Sequence, residues 1–310
     1  MDSTLKLSDT SAPSGLFAWL EANTPAAKLD GCLLLTLIDL MLWGSDYWYT
    51  RIGLFLLCAP GIVFPKLRYS PWLWVGIAAL FAHMILINWA WADNHKYVMT
   101  YWSLGIAMSL FVGTSQRLVV LATNANMILG LSMLFATIWK LISPEYTSGA
   151  FFEILFLTDR RFDGTMAMIT DLTFGQLQEN QARVRLLREG YLDWINPESQ
   201  QLHSSAAVRR LAFIATWWTV FIEGIKGLLF LIPSNSSTIF FLRNLSLIVF
   251  CFTTYVIAPV PGFGCTLACM GMATCIERGE WWYRLYQVAY LNVVFWTIAG
   301  EPIREMIVAR

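Results

Sequence analysis

Apolar residues in this chain come in long runs separated by short polar punctuation. A helix needs about 20 mostly apolar residues to cross the hydrocarbon core of a bilayer. The pattern predicts a first segment from about Lys28 to Trp43, which carries Asp39, and a second from about Tyr49 to Phe64, closed by Pro65-Lys66. A third, Pro71 to Trp91, is apolar apart from His83 and Asn88. Asp93-Asn94-His95-Lys96 opens a fourth that ends near Gly113. Gly113-Thr114-Ser115-Gln116-Arg117 is a tight turn into a fifth, which ends at Lys140.

The next long apolar run starts near Leu211, so residues 143–210 stand apart as one large extramembrane insertion. Met133 to Phe162 leads into it: an apolar helix end bearing Lys140, turns at Ser143-Pro144 and Ser148-Gly149, then FFEILFLTDRRF. Further on, Leu177, Val184, Leu187, Tyr191 and Ile195 recur at helical spacing with Arg183, Arg185 and Arg188 between them. This is the pattern of a helix lying on the membrane or the bundle with snorkelling arginines. A sixth segment, Leu211 to Ile232, carries Glu223 and Lys226, which are three apart and placed to pair on one face. A seventh runs from about Ile239 to Val260. Pro259, Pro261, Gly262 and Gly264 break it before an eighth that continues to about Cys275. Glu277 to Arg284 is polar, with Trp281-Trp282 suited to an interfacial belt, and a last run covers Leu285 to Ala299.

The expected fold is all-α: a polytopic membrane helix bundle of about eight transmembrane helices with one helical insertion. Its parts are 1–29, a polar and amphipathic lead; 30–142, a first helix group; 143–210, the insertion; 211–300, a second group; and 301–310, a charged tail. Composition agrees. The chain is 57% hydrophobic and only 14% charged, against about a quarter charged in a soluble domain. No stretch shows the alternation of a membrane barrel. Twenty-one cationic residues balance 21 anionic ones, which gives no argument for nucleic acid. Residues 1–29 lack the apolar core of a secretory signal. The six cysteines form no CxxC pair, so neither a disulfide framework nor a metal centre is expected.

Short-loop cations set the orientation. Lys28, Lys66, Arg68, Arg117, Arg278 and Arg284 fall on the N-terminal side, against Arg51, Lys96, Arg304 and Arg310 on the other. This predicts an N-terminus in the cytoplasm. The fourth segment starts, and the fifth ends, on the opposite side, so a helical hairpin brings His95 and Lys140 to the same membrane face. A lysine at a helix end either snorkels to the headgroups or, when desolvated, serves as a base. Glu223 and Lys226 are either a structural pair or part of a polar cavity. Asp39 and His83 are expected to face the bundle.

Asn94-His95-Lys96-Tyr97, followed by an apolar helix, resembles the N-H-x-Y element of the vitamin K-dependent gamma-carboxylase-like proteins, also called the HTTM domain. Phe135-Ala136-Thr137-Ile138-Trp139-Lys140-Leu141, with Tyr146 and Gly149 downstream, resembles that family's Phe-Ala-x-x-x-Lys-Leu element. The resemblance implies Lys140 as base on reduced vitamin K or another quinol, His95 in the same site, and Asn94 and Tyr97 as supporting, cofactor-binding residues. Carboxylases of the family carry a large C-terminal extramembrane domain, whereas this chain ends at Arg310, so a tethered protein-glutamate substrate is not expected.

Two readings stand side by side. One is an enzyme that binds or oxidises a quinol. The other is a non-catalytic membrane subunit or lipid-binding scaffold, surrounded by membrane lipid and holding a protein partner through residues 143–210. A transporter is a third; the Glu223–Lys226 region and the Pro259–Gly264 break suit it, and the absence of internal repeats speaks against it.

Overall fold

A computed structural model describes residues 24–45, 47–87, 89, 93–188, 201–233, 236–257 and 260–308. The structure is 87% helix, with 14 α-helices and no strand among the described residues. The backbone divides into two units. The described residues up to Ala125, with Cys269–Tyr286, form the first; Asn126–Ala268 and the residues from Gln287 form the second.

The first unit holds α1 (Pro25–Trp43), α2 (Trp48–Val63), α3 (Pro65–Arg68), α4 (Pro71–Ile87), α5 (Asn94–Phe111) and the start of α6 (Thr114–Ile142). Helix α1 starts as its sequence dictates: Pro25 occupies the first turn and the Thr24 hydroxyl accepts the Ala27 amide at 3.3 Å. Leu33, Leu37, Leu54, Trp74, Phe81 and Trp102 are among the fully buried side chains of its core.

Two cations counted from sequence as loop charges are buried joints in this unit. Arg68 donates to Asp30 at 3.0 Å and to the carbonyls of Gly61 (3.1 Å) and Ile62 (2.9 Å), tying α1 to the end of α2. Lys96 donates to the carbonyls of Gly44 (2.8 Å) and Trp43 (3.5 Å). It therefore caps the C-terminus of α1, where unpaired carbonyls and the helix dipole both favour a cation. In the same unit Tyr283 donates to the Lys28 carbonyl at 2.7 Å.

The structure corrects three expectations here. His83 is exposed, because the buried stripe of α4 is Trp74, Ile77, Ala78, Phe81 and Met84, and His83 lies off it. Thr114 to Arg117 already belong to α6, so the turn is confined to Val112 and Gly113. The polar stretch ending at Arg284 is helical from Glu280, as the first turns of α14 (Glu280–Val308). Asp39 is fully buried, as expected.

The second unit holds the rest of α6, then α7 (Pro144–Thr147), α8 (Ala150–Thr158), a 3-10 turn (Arg160–Phe162), α9 (Asp163–Ile169) and α10 (Phe174–Arg188). It continues with α11 (Ala206–Leu231), α12 (Ser237–Ile257) and the start of α13 (Pro261–Cys275). The described residues between 143 and 210 contribute to a small core of this unit. Phe156, Leu157, Phe162, Met166, Leu172 and Leu177 pack against Val208 and Ala212 in the first turns of α11. A polar latch closes it. Asn180 exchanges two hydrogen bonds with the His203 backbone at 2.8 and 2.9 Å, Ser204 donates to Glu153 at 2.6 Å, and Arg183 donates to the Gln201 carbonyl. Arg183 is thus engaged with protein. Tyr191 and Ile195 lie outside the described residues.

Among the described residues three helical stretches are long and apolar enough to cross a membrane: Thr114–Ile142, Ala206–Leu231 and Ser237–Tyr255. Trp48–Val63 and Pro71–Ile87 are shorter apolar helices. Large apolar side chains point outward along them, among them Trp48, Phe55, Leu86, Ile214 and Phe221. Such outward faces are compatible with lipid rather than water as the surrounding medium.

Candidate functional site

Helices α6 and α11 approach unusually closely. A Cβ on Gly227 would lie 2.8 Å from the Leu134 amide nitrogen and 3.0 Å from its Cα, so only glycine fits against that backbone. The same seam puts Gly224 against Thr137, where a Cβ would meet the Thr137 methyl at 3.3 Å. One turn beyond Thr137 stands Lys140; one residue before Gly224 stands Glu223. The close approach delivers these side chains to each other. Lys140 Nζ donates to Glu223 Oε2 at 2.5 Å, with both side chains largely removed from solvent.

An aromatic group covers the pair. Lys140 Nζ lies 5.6 Å from the Tyr146 ring centroid. Tyr146 stacks on Phe151 at 4.2 Å and meets Phe152 edge-on at 6.1 Å. Gly149 makes this fold-back possible. Its φ of 87° is left-handed, and the backbone of Phe213 on α11 is so near that a Cβ would lie 3.3 Å from its Cα. Burial, and then the negative charge of Glu223, push the Tyr146 phenol up to about 12. Beside it, Glu145 accepts the Ser143 hydroxyl at 2.9 Å and is held below the usual carboxylate range, first by its own backbone amide and then by that hydroxyl.

The expected pairing of Glu223 with Lys226 is corrected: the carboxylate of Glu223 turns to α6 and Lys140. Lys226, one turn along α11, is fully buried, with Nζ 2.9 Å from the centroid of the Phe250 ring on α12. Its Nζ has no hydrogen-bond partner among the described residues. Arg243 of α12 reaches back to the Leu229 carbonyl at 2.6 Å and to that of Ile232, capping the end of α11.

The other predicted site residues lie in the first unit. Asn94 is exposed at the start of α5, His95 Nε2 is 3.9 Å from Asp93 Oδ2, and Tyr97 is half-buried. His95 and Lys140 therefore belong to different units, and the close partner of Lys140 within its own unit is Glu223. All six cysteines are free and buried. Among the described residues no group of three or more His, Cys, Asp or Glu side chains is placed to hold a metal ion.

Sequence reasoning had marked Lys140, Tyr146, Gly149, Glu223 and Lys226, though not as one cluster. Two ionisable residues in separate apolar segments were the available signal, since such groups usually face one another or a cavity. No protein-family model, no curated protein and no solved structure matches this chain.

Proposed function

We propose that this is a multi-pass helical membrane protein that binds a quinol-like, lipid-soluble ligand and moves a proton at the Lys140–Glu223 pair. The observation that carries the reading is the pair itself, an ammonium and a carboxylate 2.5 Å apart between two helices long and apolar enough to span a bilayer. Ionisable groups in such a place are expensive and mark sites of function. In this proposal about eight of the apolar segments cross the membrane, residues 143–210 form an extramembrane insertion, and the N-terminus is cytoplasmic.

The residues suit the quinol that the HTTM resemblance implies. Tyr146, Phe151 and Phe152 offer ring faces beside Lys140. When bound, a reduced vitamin K or related quinol would supply an acidic hydroxyl and two electrons. Lys140 in the ion pair holds its proton. Transfer of that proton to Glu223 leaves a neutral amine and a carboxylic acid, and the amine then accepts the ligand's hydroxyl proton. Glu223 is thus the proton acceptor that lets Lys140 act as base. The same resemblance also implies His95, with Asn94 and Tyr97 in support; these three lie in the first unit and take no part in the step proposed here.

A second reading is a non-catalytic subunit or lipid-binding scaffold in which Lys140–Glu223 is a clamp between α6 and α11 and a protein partner docks on residues 143–210. The tight Gly227–Leu134 approach favours it, since the pair closes a seam that is already packed. Oxygen uptake by the purified protein with reduced vitamin K, or another quinol, separates the two. Catalysis predicts uptake in the wild type that Lys140→Ala and Glu223→Gln abolish while the protein stays monodisperse; uptake in none of them favours the scaffold.

A further inference from the structure

We infer that Lys226 is the cation of a binding site for an anionic oxygen on an apolar ligand, adjacent to the Lys140–Glu223 pair. The inference rests on reading this cluster as the ligand site, and it names the charge and class of what is bound there.

Lys140, Glu223 and Lys226 carry two positive charges and one negative when all are ionised. The only carboxylate among them is spent on Lys140. Lys226 is fully buried and lies within reach of the Glu223 charge, but its three N–H donors meet no acceptor among the described residues. The Phe250 ring attracts a cation through its face but offers no lone pair to an N–H. A buried ammonium without a hydrogen-bond acceptor is costly, and proteins keep such groups where a partner compensates them. Helix packing alone would be served as well by Leu or Met at this position.

The surroundings define the missing partner. It brings one negative charge, which balances the cluster. It is apolar elsewhere, because Lys226 lies inside a helix of spanning length, against Phe250 of another. It is an oxygen anion, since a charge-assisted N–H···O bond is the strong interaction open to an ammonium. An ionised aromatic hydroxyl on a fused ring system, or a long-chain carboxylate, has this chemistry.

The test measures binding without turnover. The probes are a 2-hydroxy-3-alkyl-1,4-naphthoquinone, which is an anion near neutral pH, its neutral 2-methyl counterpart, and dodecanoate against dodecanol. Binding to the full-length protein in detergent is followed by thermal shift and, for the hydroxynaphthoquinone, by the visible band of its anion. The wild type should prefer an anion over its neutral counterpart by about tenfold or more. Lys226→Met should abolish the preference and Lys226→Arg should retain it. Preference for the naphthoquinone anion identifies an aromatic ligand, and preference for dodecanoate an acyl one. Equal binding of anion and neutral probe by the wild type would overturn the inference, whether or not Lys226→Met folds, as would a preference that survives that substitution. Absent oxygen uptake would overturn the catalytic reading and leave this result unchanged.

Discussion

Lys140 Nζ and Glu223 Oε2 lie 2.5 Å apart across 83 residues of sequence, and the pair joins the last turn of α6 to the middle of α11. Removing one member leaves the other desolvated and unpaired, which costs more than the bond itself contributes. Lys140→Met and Glu223→Met should each destabilise the protein in detergent, and the double variant should lose less than their sum. The coupling expected from a thermodynamic cycle is about 0.5–3 kcal/mol. Additive losses would mean that the two residues do not support each other.

The seam that delivers the pair depends on Gly227. An Ala Cβ there meets the amide nitrogen and Cα of Leu134 at 2.8 and 3.0 Å, and backbone cannot move aside as a flexible side chain can. Gly227→Ala should therefore destabilise by about 1–3 kcal/mol, the usual scale of overpacking. Gly113→Ala is the control, because nothing lies within 4 Å of a Cβ at that position. Thermal unfolding of the two variants side by side checks this. Equal midpoints would show that α6 and α11 do not approach at Gly227 as closely as described.

Lys96 gives a third prediction, in the first unit. Its ammonium is buried against the carbonyls of Trp43 and Gly44, so Lys96→Met removes a C-cap and leaves acceptors unpaired. A loss of up to about 2 kcal/mol is expected, the upper range for a cation at a partly buried helix C-terminus. Lys96→Arg should recover only part of it, since a planar fork replaces a compact ammonium. Full stability of Lys96→Met in a thermal melt would remove Lys96 from this role.

The helices were legible because each apolar run is continuous and punctuated by Pro, Gly or a short polar turn. Ends were less legible. Trp281 and Trp282 sit among charges and read as an interfacial belt ahead of a last run from Leu285, yet the helix that carries them already starts at Glu280. The partners of buried charges could not be read at all. Glu223 and Lys226 are neighbours along α11, and only the rotation of that helix decides that one turns to α6 and the other to α12. Arg68 and Lys96 looked like ordinary loop cations because a helix C-cap supplied from another segment has no local sequence signal. At the candidate site, Lys140 stood out as a cation at the end of an apolar run and Gly149 as a turn residue, while Tyr146 was marked only by the family resemblance. Glu223 is set beside them by packing between glycines, and nothing in the spacing of residues reveals that.

Tyr146 reports on the electrostatics of the site. Its phenol is pushed from the ordinary value of 10.0 up to about 12, first by burial and then by the charge of Glu223. A group whose pKa is higher in the folded state contributes stability that is complete below its unfolded pKa and is lost as pH rises through the folded one. Tyr146 should thus add to stability below pH 10 and lose that contribution between pH 10 and about 12. The absorbance of the wild type minus that of Tyr146→Phe at 295 nm isolates this phenolate from the other ten tyrosines. At pH 11, midway in that window, the difference should still lack most of the phenolate signal. Glu223→Gln removes the second cause while leaving the first, so its Tyr146 should titrate lower than in the wild type but above an exposed tyrosine. Titration at the ordinary value in the wild type would mean that the phenol is solvated and the aromatic cover over Lys140 is open. An unchanged midpoint in Glu223→Gln would mean that the carboxylate does not act on Tyr146, and the proton exchange proposed for the pair would then take place outside the reach of this ring.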